Sequence, residues 1–177
     1  MVRHQGKQMS VMMKYLTITA LFAVFLVSCS DESGYDSSGE IAVSGEWSVF
    51  RGDRNLSGVS TSSLPDKPVL LWSFDAGSPV ASSPVIAHGA VFIGSSEGVL
   101  CSVDARTGNK KWAYDTGDDI EAPPMVLDGI VYVGNREGRF FAVDALSGAL
   151  SWSYDTDGEI MGSANHIEAP GGGNHVL

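Results

Sequence analysis

Residues 71–110 read LWSFDAGSPVASSPVIAHGAVFIGSSEGVLCSVDARTGNK, and residues 111–150 read KWAYDTGDDIEAPPMVLDGIVYVGNREGRFFAVDALSGAL. Aligned without a gap, 13 of these 40 positions are identical: one Trp, three acids, five Gly, one Pro, two Val and one Ala. A third copy opens at 151 with SWSYDTDGEIMGSAN, so Trp72, Trp112 and Trp152 recur at a constant interval. Self-similarity at this period is the mark of an array of supersecondary units that bury their apolar faces against one another. Within each unit the apolar residues alternate with period two and Gly falls at the breaks, which predicts short strands joined by tight turns. The expected strands are 81–86, 90–94, 99–104 and 110–115, then 121–126, 130–134, 139–144 and 150–155. In the third copy, 174–177 aligns with a second strand if the turn before it is longer. His88-Gly89, Asp128-Gly129, Glu97-Gly98 and Glu137-Gly138 supply the turn chemistry, since Gly takes positive φ without steric cost. Four antiparallel strands per repeat make one blade of a β-propeller.

Residues 1–14 carry Arg3, Lys7 and Lys14 and no acid, and 15–27 is an uncharged apolar run. That run is too short for a membrane-spanning helix of about 20 residues and reads as the core of a secretory signal. Leu26-Val27-Ser28-Cys29 resembles a bacterial lipobox. The resemblance implies a lipoprotein signal over 1–28, cleavage before Cys29 and diacylation of Cys29. Ser30 is not Asp, which by the same sorting pattern favours the outer membrane. Residues 29–46 are rich in Ser, Gly and acids and read as a flexible tether.

All 21 acidic residues follow Cys29, whereas three of the 11 basic ones precede it, so the net charge of −10 becomes −13 after Cys29. Such a balance argues against nucleic acid and anionic headgroups as partners. Cys101 is the other cysteine, and its place in an apolar stretch reads as a small buried hydrophobe.

Residues 102–112 (SVDARTGNKKW) and 142–152 (AVDALSGALSW) resemble the tryptophan-docking motif of quinoprotein-type (PQQ-like) propellers, A-x-D-x-x-T-G-x-x-x-W. The resemblance covers 47–177. It implies an all-β fold, a partial β-propeller of four-stranded antiparallel blades: two complete blades, one partial and one orphan outer strand at 69–75. It also implies that each first strand lines the central channel. Because family members have roughly seven or eight blades, the chain is expected to be a piece of a protein of roughly 350–450 residues. In the motif Asp104, Gly108 and Trp112, with Asp144, Gly148 and Trp152, are structural: the Asp accepts turn amides, the Gly makes the turn, and the Trp wedges between sheets.

Two function classes share this repeat. One is a non-catalytic, lipid-anchored interaction scaffold resembling the propeller lipoprotein of the outer-membrane β-barrel assembly machinery, with other envelope proteins as partners. The other is a dehydrogenase using pyrroloquinoline quinone (PQQ) and Ca²⁺. The adjacent cysteine pair common in the second class is missing from the chain, which favours the scaffold, with no catalytic residue, no metal and no cofactor of its own. The acid-rich loops 115–119 and 155–159 lack the bidentate Glu of a calcium loop and read as solvated connections. His88, His166 and His175 have no metal-ligand spacing. If a ligand docks at the channel mouth, Asp119, Glu121 and Asn135 are its expected contacts.

Overall fold

The computed structural model describes residues 45–177. The signal expected over 1–28, the lipid site expected at Cys29 and nearly all of the tether expected over 29–46 lie outside the described residues.

Blade 1 consists of β1 (Val85–Ala87), β2 (Ala90–Gly94), β3 (Val99–Asp104) and β4 (Lys110–Asp115), hydrogen-bonded in that order. Blade 2 repeats the order with β5 (Met125–Leu127), β6 (Ile130–Gly134), β7 (Arg139–Asp144) and β8 (Leu150–Asp155). A hairpin of β9 (His166–Glu168) and β10 (Asn174–Val176) begins the third repeat. The register carries over from one repeat to the next: Val85 pairs with Phe92, and at the same place Met125 pairs with Tyr132. The irregularity between Ser102 and Val103 likewise recurs between Ala142 and Val143. β1 lies against β5 while β4 and β8 do not touch, so the blades converge on their first strands and splay at their fourth.

Six of the eight strands expected in the two blades occupy the predicted residues. The two first strands are shorter than expected, starting at Val85 and Met125 rather than at 81 and 121. Pro84 and Pro124 sit just before these starts and have no N–H to give a ladder. The residues ahead of them bond between blades instead: Ser82 Oγ donates to Ala122 O at 3.0 Å. In the third repeat the turn is lengthened by Gly171, Gly172 and Gly173, and 174–176 pairs as a second strand. Residues 69–75 carry no ladder.

The core is the seam between blades. Val85, Phe92, Leu100 and Ile120 pack with Val131, Val133, Phe141 and Val143, and Trp112 and Tyr114 close over them. Such a seam needs sheets in near contact, and Gly94 provides it. A Cβ on Gly94 would lie 2.2 Å from Ile120 Cγ2, and Ile120 is fully buried. Gly134 faces Ile160 in the same way.

Gly94→Ala therefore overpacks the seam and is expected to destabilise the fold by at least about 2 kcal/mol. Gly162→Ala, where an added Cβ meets nothing within 4 Å, is expected to stay within about 0.5 kcal/mol of wild type. Denaturant unfolding of both variants checks the pair.

Candidate functional site

The turns between third and fourth strands form one end of each blade. Asp104 Oδ1 accepts from Thr107 N at 2.8 Å, Thr107 Oγ1 at 2.9 Å and Arg106 N at 3.2 Å. Asp144 Oδ1 accepts from Ser147 N at 2.7 Å and Ser147 Oγ at 2.6 Å. These donors hold both carboxyls below the usual aspartate range. Gly108 and Gly148 complete the turns at φ 73°, and each forms the floor under an indole. A Cβ at Gly108 would meet Trp72 at 2.8 Å, and one at Gly148 would meet Trp112 at 2.7 Å.

The indole N–H then crosses to the next sheet. Trp72 Nε1 donates to Ala105 O at 2.9 Å and Trp112 Nε1 to Ala145 O at 3.0 Å, the two bonds spanning the same distance along the chain. Trp72 thus docks on blade 1 as Trp112 docks on blade 2, although 69–75 has no ladder of its own. Trp152 packs on Tyr132 and Phe140, with ring centroids 6.0 Å apart in each pair. It is 46% exposed and has no acceptor for its indole among the described residues. Ser102, standing where the family motif has Ala, has a buried hydroxyl without a partner; the second copy has Ala142 there.

The opposite end gathers the loops 95–98, 116–121, 135–138 and 156–161. Asn135, one of the expected ligand contacts, is fully buried. Its Nδ2 donates to Thr116 O at 3.1 Å and its Oδ1 accepts from Arg139 N at 2.8 Å, so the amide ties blade 2 to the loop leaving blade 1. Thr116 is buried too, with Oγ1 2.8 Å from Gly98 O and 3.0 Å from Asp118 O. Asp119 and Glu121 are brought together by Arg136, a residue that the sequence pattern does not single out. Arg136 N donates to Asp119 O at 2.9 Å. Its guanidinium lies 3.5 Å from Glu121 and 3.3 Å from Glu159. Glu159, then Glu121 and Asp119, raise the arginine's pKa above its ordinary value. Two carboxylates on one guanidinium, with Asp119 nearby, leave this rim negative and partly exposed. The one signal for Arg136 in the sequence is its place in the Asn135-Arg136-Glu137-Gly138 turn, between two acidic connections.

Cys101 is buried, and burial pushes its thiol up, away from the thiolate. Among the described residues no three His, Cys, Asp or Glu side chains gather as a metal site. A groove of about 600 Å³ is lined by Phe140, Tyr154, Ile160, Met161 and Val176. Phe140 and Ile160 are the repeat counterparts of Leu100 and Ile120, which blade 2 buries completely. The groove is therefore the blade-packing face of blade 2.

A family model described as outer membrane protein assembly factor BamB matches residues 69–177. No curated protein matches the chain. Among solved structures, quinohemoprotein alcohol dehydrogenase from Comamonas testosteroni is 26% identical with a TM-score of 0.60, covering 69% of this chain and 22% of that one. BamB from Moraxella catarrhalis is 30% identical with a TM-score of 0.46, covering 49% of this chain and 27% of that one. A quinohemoprotein alcohol dehydrogenase from Pseudomonas putida HK5 is 22% identical with a TM-score of 0.55, covering 70% of this chain and 22% of that one. The chain spans about a quarter of the length of these structures.

The indole bond has a measurable weight. Trp112→Phe keeps much of the ring contact but leaves Ala145 O without its donor, and is expected to cost about 1–3 kcal/mol. Trp152→Phe removes no such bond and is expected to cost less than about 1 kcal/mol. Equal losses in chemical denaturation would refute the docking role.

Proposed function

Since the chain belongs to the family of outer membrane protein assembly factor BamB, we propose that it serves as a non-catalytic binding scaffold of the bacterial cell envelope. Its partners are other envelope proteins, and it is held at the periplasmic face of the outer membrane by lipid on Cys29. The domain division behind this reading is a signal over 1–28, a tether over 29–46 and propeller repeats over 47–177. One observation carries the reading. Three of the polar side chains buried inside the repeats are spent on structural bonds: Ser82 on Ala122, Thr116 on Gly98 and Asn135 on Thr116 and Arg139. What remains exposed is recognition surface, above all the acidic rim around Arg136. A scaffold needs no more than this, because a rigid array of blades presents loops at fixed spacing.

A second reading is a piece of a PQQ- and Ca²⁺-dependent dehydrogenase, favoured by the 26% identity to the Comamonas testosteroni enzyme. The described residues suit that cofactor poorly. They gather no carboxylate set for the metal, and the inner edges of the blades are already bonded to residues 47 and 48.

Affinity purification of the full chain from detergent-solubilised envelopes is expected to bring down components of the outer-membrane β-barrel assembly machinery. Recovery should fall when Glu121→Lys and Glu159→Lys reverse the rim. Stoichiometric binding of pyrroloquinoline quinone with Ca²⁺ by the full chain, with no envelope protein recovered, would transfer support to the dehydrogenase.

The anchor is tested separately. Metabolic labelling with a radioactive fatty acid is expected to mark the wild-type chain and not Cys29→Ala. The variant should move from the membrane to the soluble fraction, because a lipid-free chain loses a contribution of about 0.8 kcal/mol per buried CH₂.

A further inference from the structure

We propose that residues 46–58 form an axial clasp. In this reading the segment lies along the free inner edges of three successive repeats, ties them together, and withholds those edges from ligands. The proposal rests on the backbone contacts of this segment and not on the function proposed above.

In each blade the first strand has a partner on one side only, so its other edge offers unpaired N–H and C=O groups toward the convergence of the blades. Trp47 fills that edge in blade 1: its N donates to Ile86 O at 2.7 Å and its O accepts from Ile86 N at 2.9 Å. The next residue serves the next blade, where Ser48 O accepts from Val126 N at 2.6 Å. Val126 is the counterpart of Ile86, one repeat further on. Consecutive residues of one segment thus satisfy the same backbone position of two blades. The third repeat is reached further along. Arg54 O accepts from Asn165 Nδ2 at 3.0 Å, and the Arg54 guanidinium lies 3.4 Å from Glu168 on β9.

Apolar packing and a stitched turn fix the segment. Val49 is 3% exposed and packs with Met125 and Ala164, one from each of the second and third repeats. Gly52 N donates to Val49 O at 2.9 Å, and Gly52 lies so close under the Trp47 ring that a Cβ would be 2.7 Å from it. Asp53 accepts from Asn55 N, from Ser57 N and from the Ser57 hydroxyl. Gly58 N then returns to Arg51 O at 2.9 Å, closing the loop. Glu46 meets His88 at 3.6 Å at the other end. Backbone bonds, a buried side chain and an ion pair therefore hold one segment against three repeats.

Residue-resolved amide hydrogen exchange on the full chain tests the clasp, with Val91 and Val131 in the adjoining strands as references. Ile86 and Val126 point their N–H groups away from β2 and β6, so the clasp is what protects them. In wild type both are expected to exchange slowly, as the references do. In Val49→Asp they are expected to exchange at least about tenfold faster while Val91 and Val131 hold. Free-peptide exchange rates at Ile86 and Val126 in wild type, with the references protected, would overturn the proposal. So would rates unchanged by Val49→Asp. If that variant loses protection throughout, the wild-type comparison decides, supported by a smaller selective increase in Arg54→Ala.

Discussion

The architecture depends on one contact made twice: an indole that lies on a glycine of the next sheet and donates its N–H to a carbonyl there. Strand ladders hold each blade internally but say nothing about how blades meet. The Trp112 dock supplies that relation between blades 1 and 2, and Trp72 makes the same contact from 69–75 onto blade 1. The glycine and the bond are interdependent. A side chain at Gly108 or Gly148 would lift the ring away, and without the bond a flat ring over a turn could slide. The aspartate beneath completes the arrangement, because it keeps the turn in the shape that offers the carbonyl.

Much of this is legible in the sequence, for a physical reason. The repeat is local, each blade is built from one unbroken stretch of chain, and Gly-containing turns punctuate it, so alternation and glycine together place the second, third and fourth strands. The same pattern makes the first strands too long, since apolar alternation continues through Pro84 and Pro124 although a ladder cannot. Asn135 resembles a ligand contact because it is polar and sits in a loop. Its burial follows from the backbone groups around it, and those are invisible in a one-dimensional pattern. Arg136 escapes for the complementary reason: its three acidic neighbours come from two separate connections. The segment around Trp47 carries no repeat signal, and its bonds are made through main-chain atoms of any residue type.

The two ends of the blades differ in what they leave free. At the Trp end the turn aspartates and the indole N–H groups of Trp72 and Trp112 are used in the docks. At the other end buried Asn135 and Thr116 support loops whose outer side chains, Glu121, Arg136 and Glu159, remain partly solvated. A rigid foundation beneath a charged rim suits recognition, because the rim's geometry is set before any partner arrives.

The bond network of Arg54 also bears on how the chain reaches its fold. Each blade is made of contacts between near neighbours along the chain, which form quickly. The Arg54–Glu168 and Asn165–Arg54 contacts instead join residues 114 and 111 apart. During synthesis from the N-terminus, Trp47 meets its partner Ile86 in the first repeat, whereas Ser48, Val49 and Arg54 emerge long before their sites on the second and third repeats exist. The lead segment can therefore pair with blade 1 through Trp47, while its contacts to the later repeats wait for those repeats to form. Closing that long loop costs more chain entropy than any contact within a blade, so the Arg54 contacts depend on the third repeat being in place and not on the blades alone.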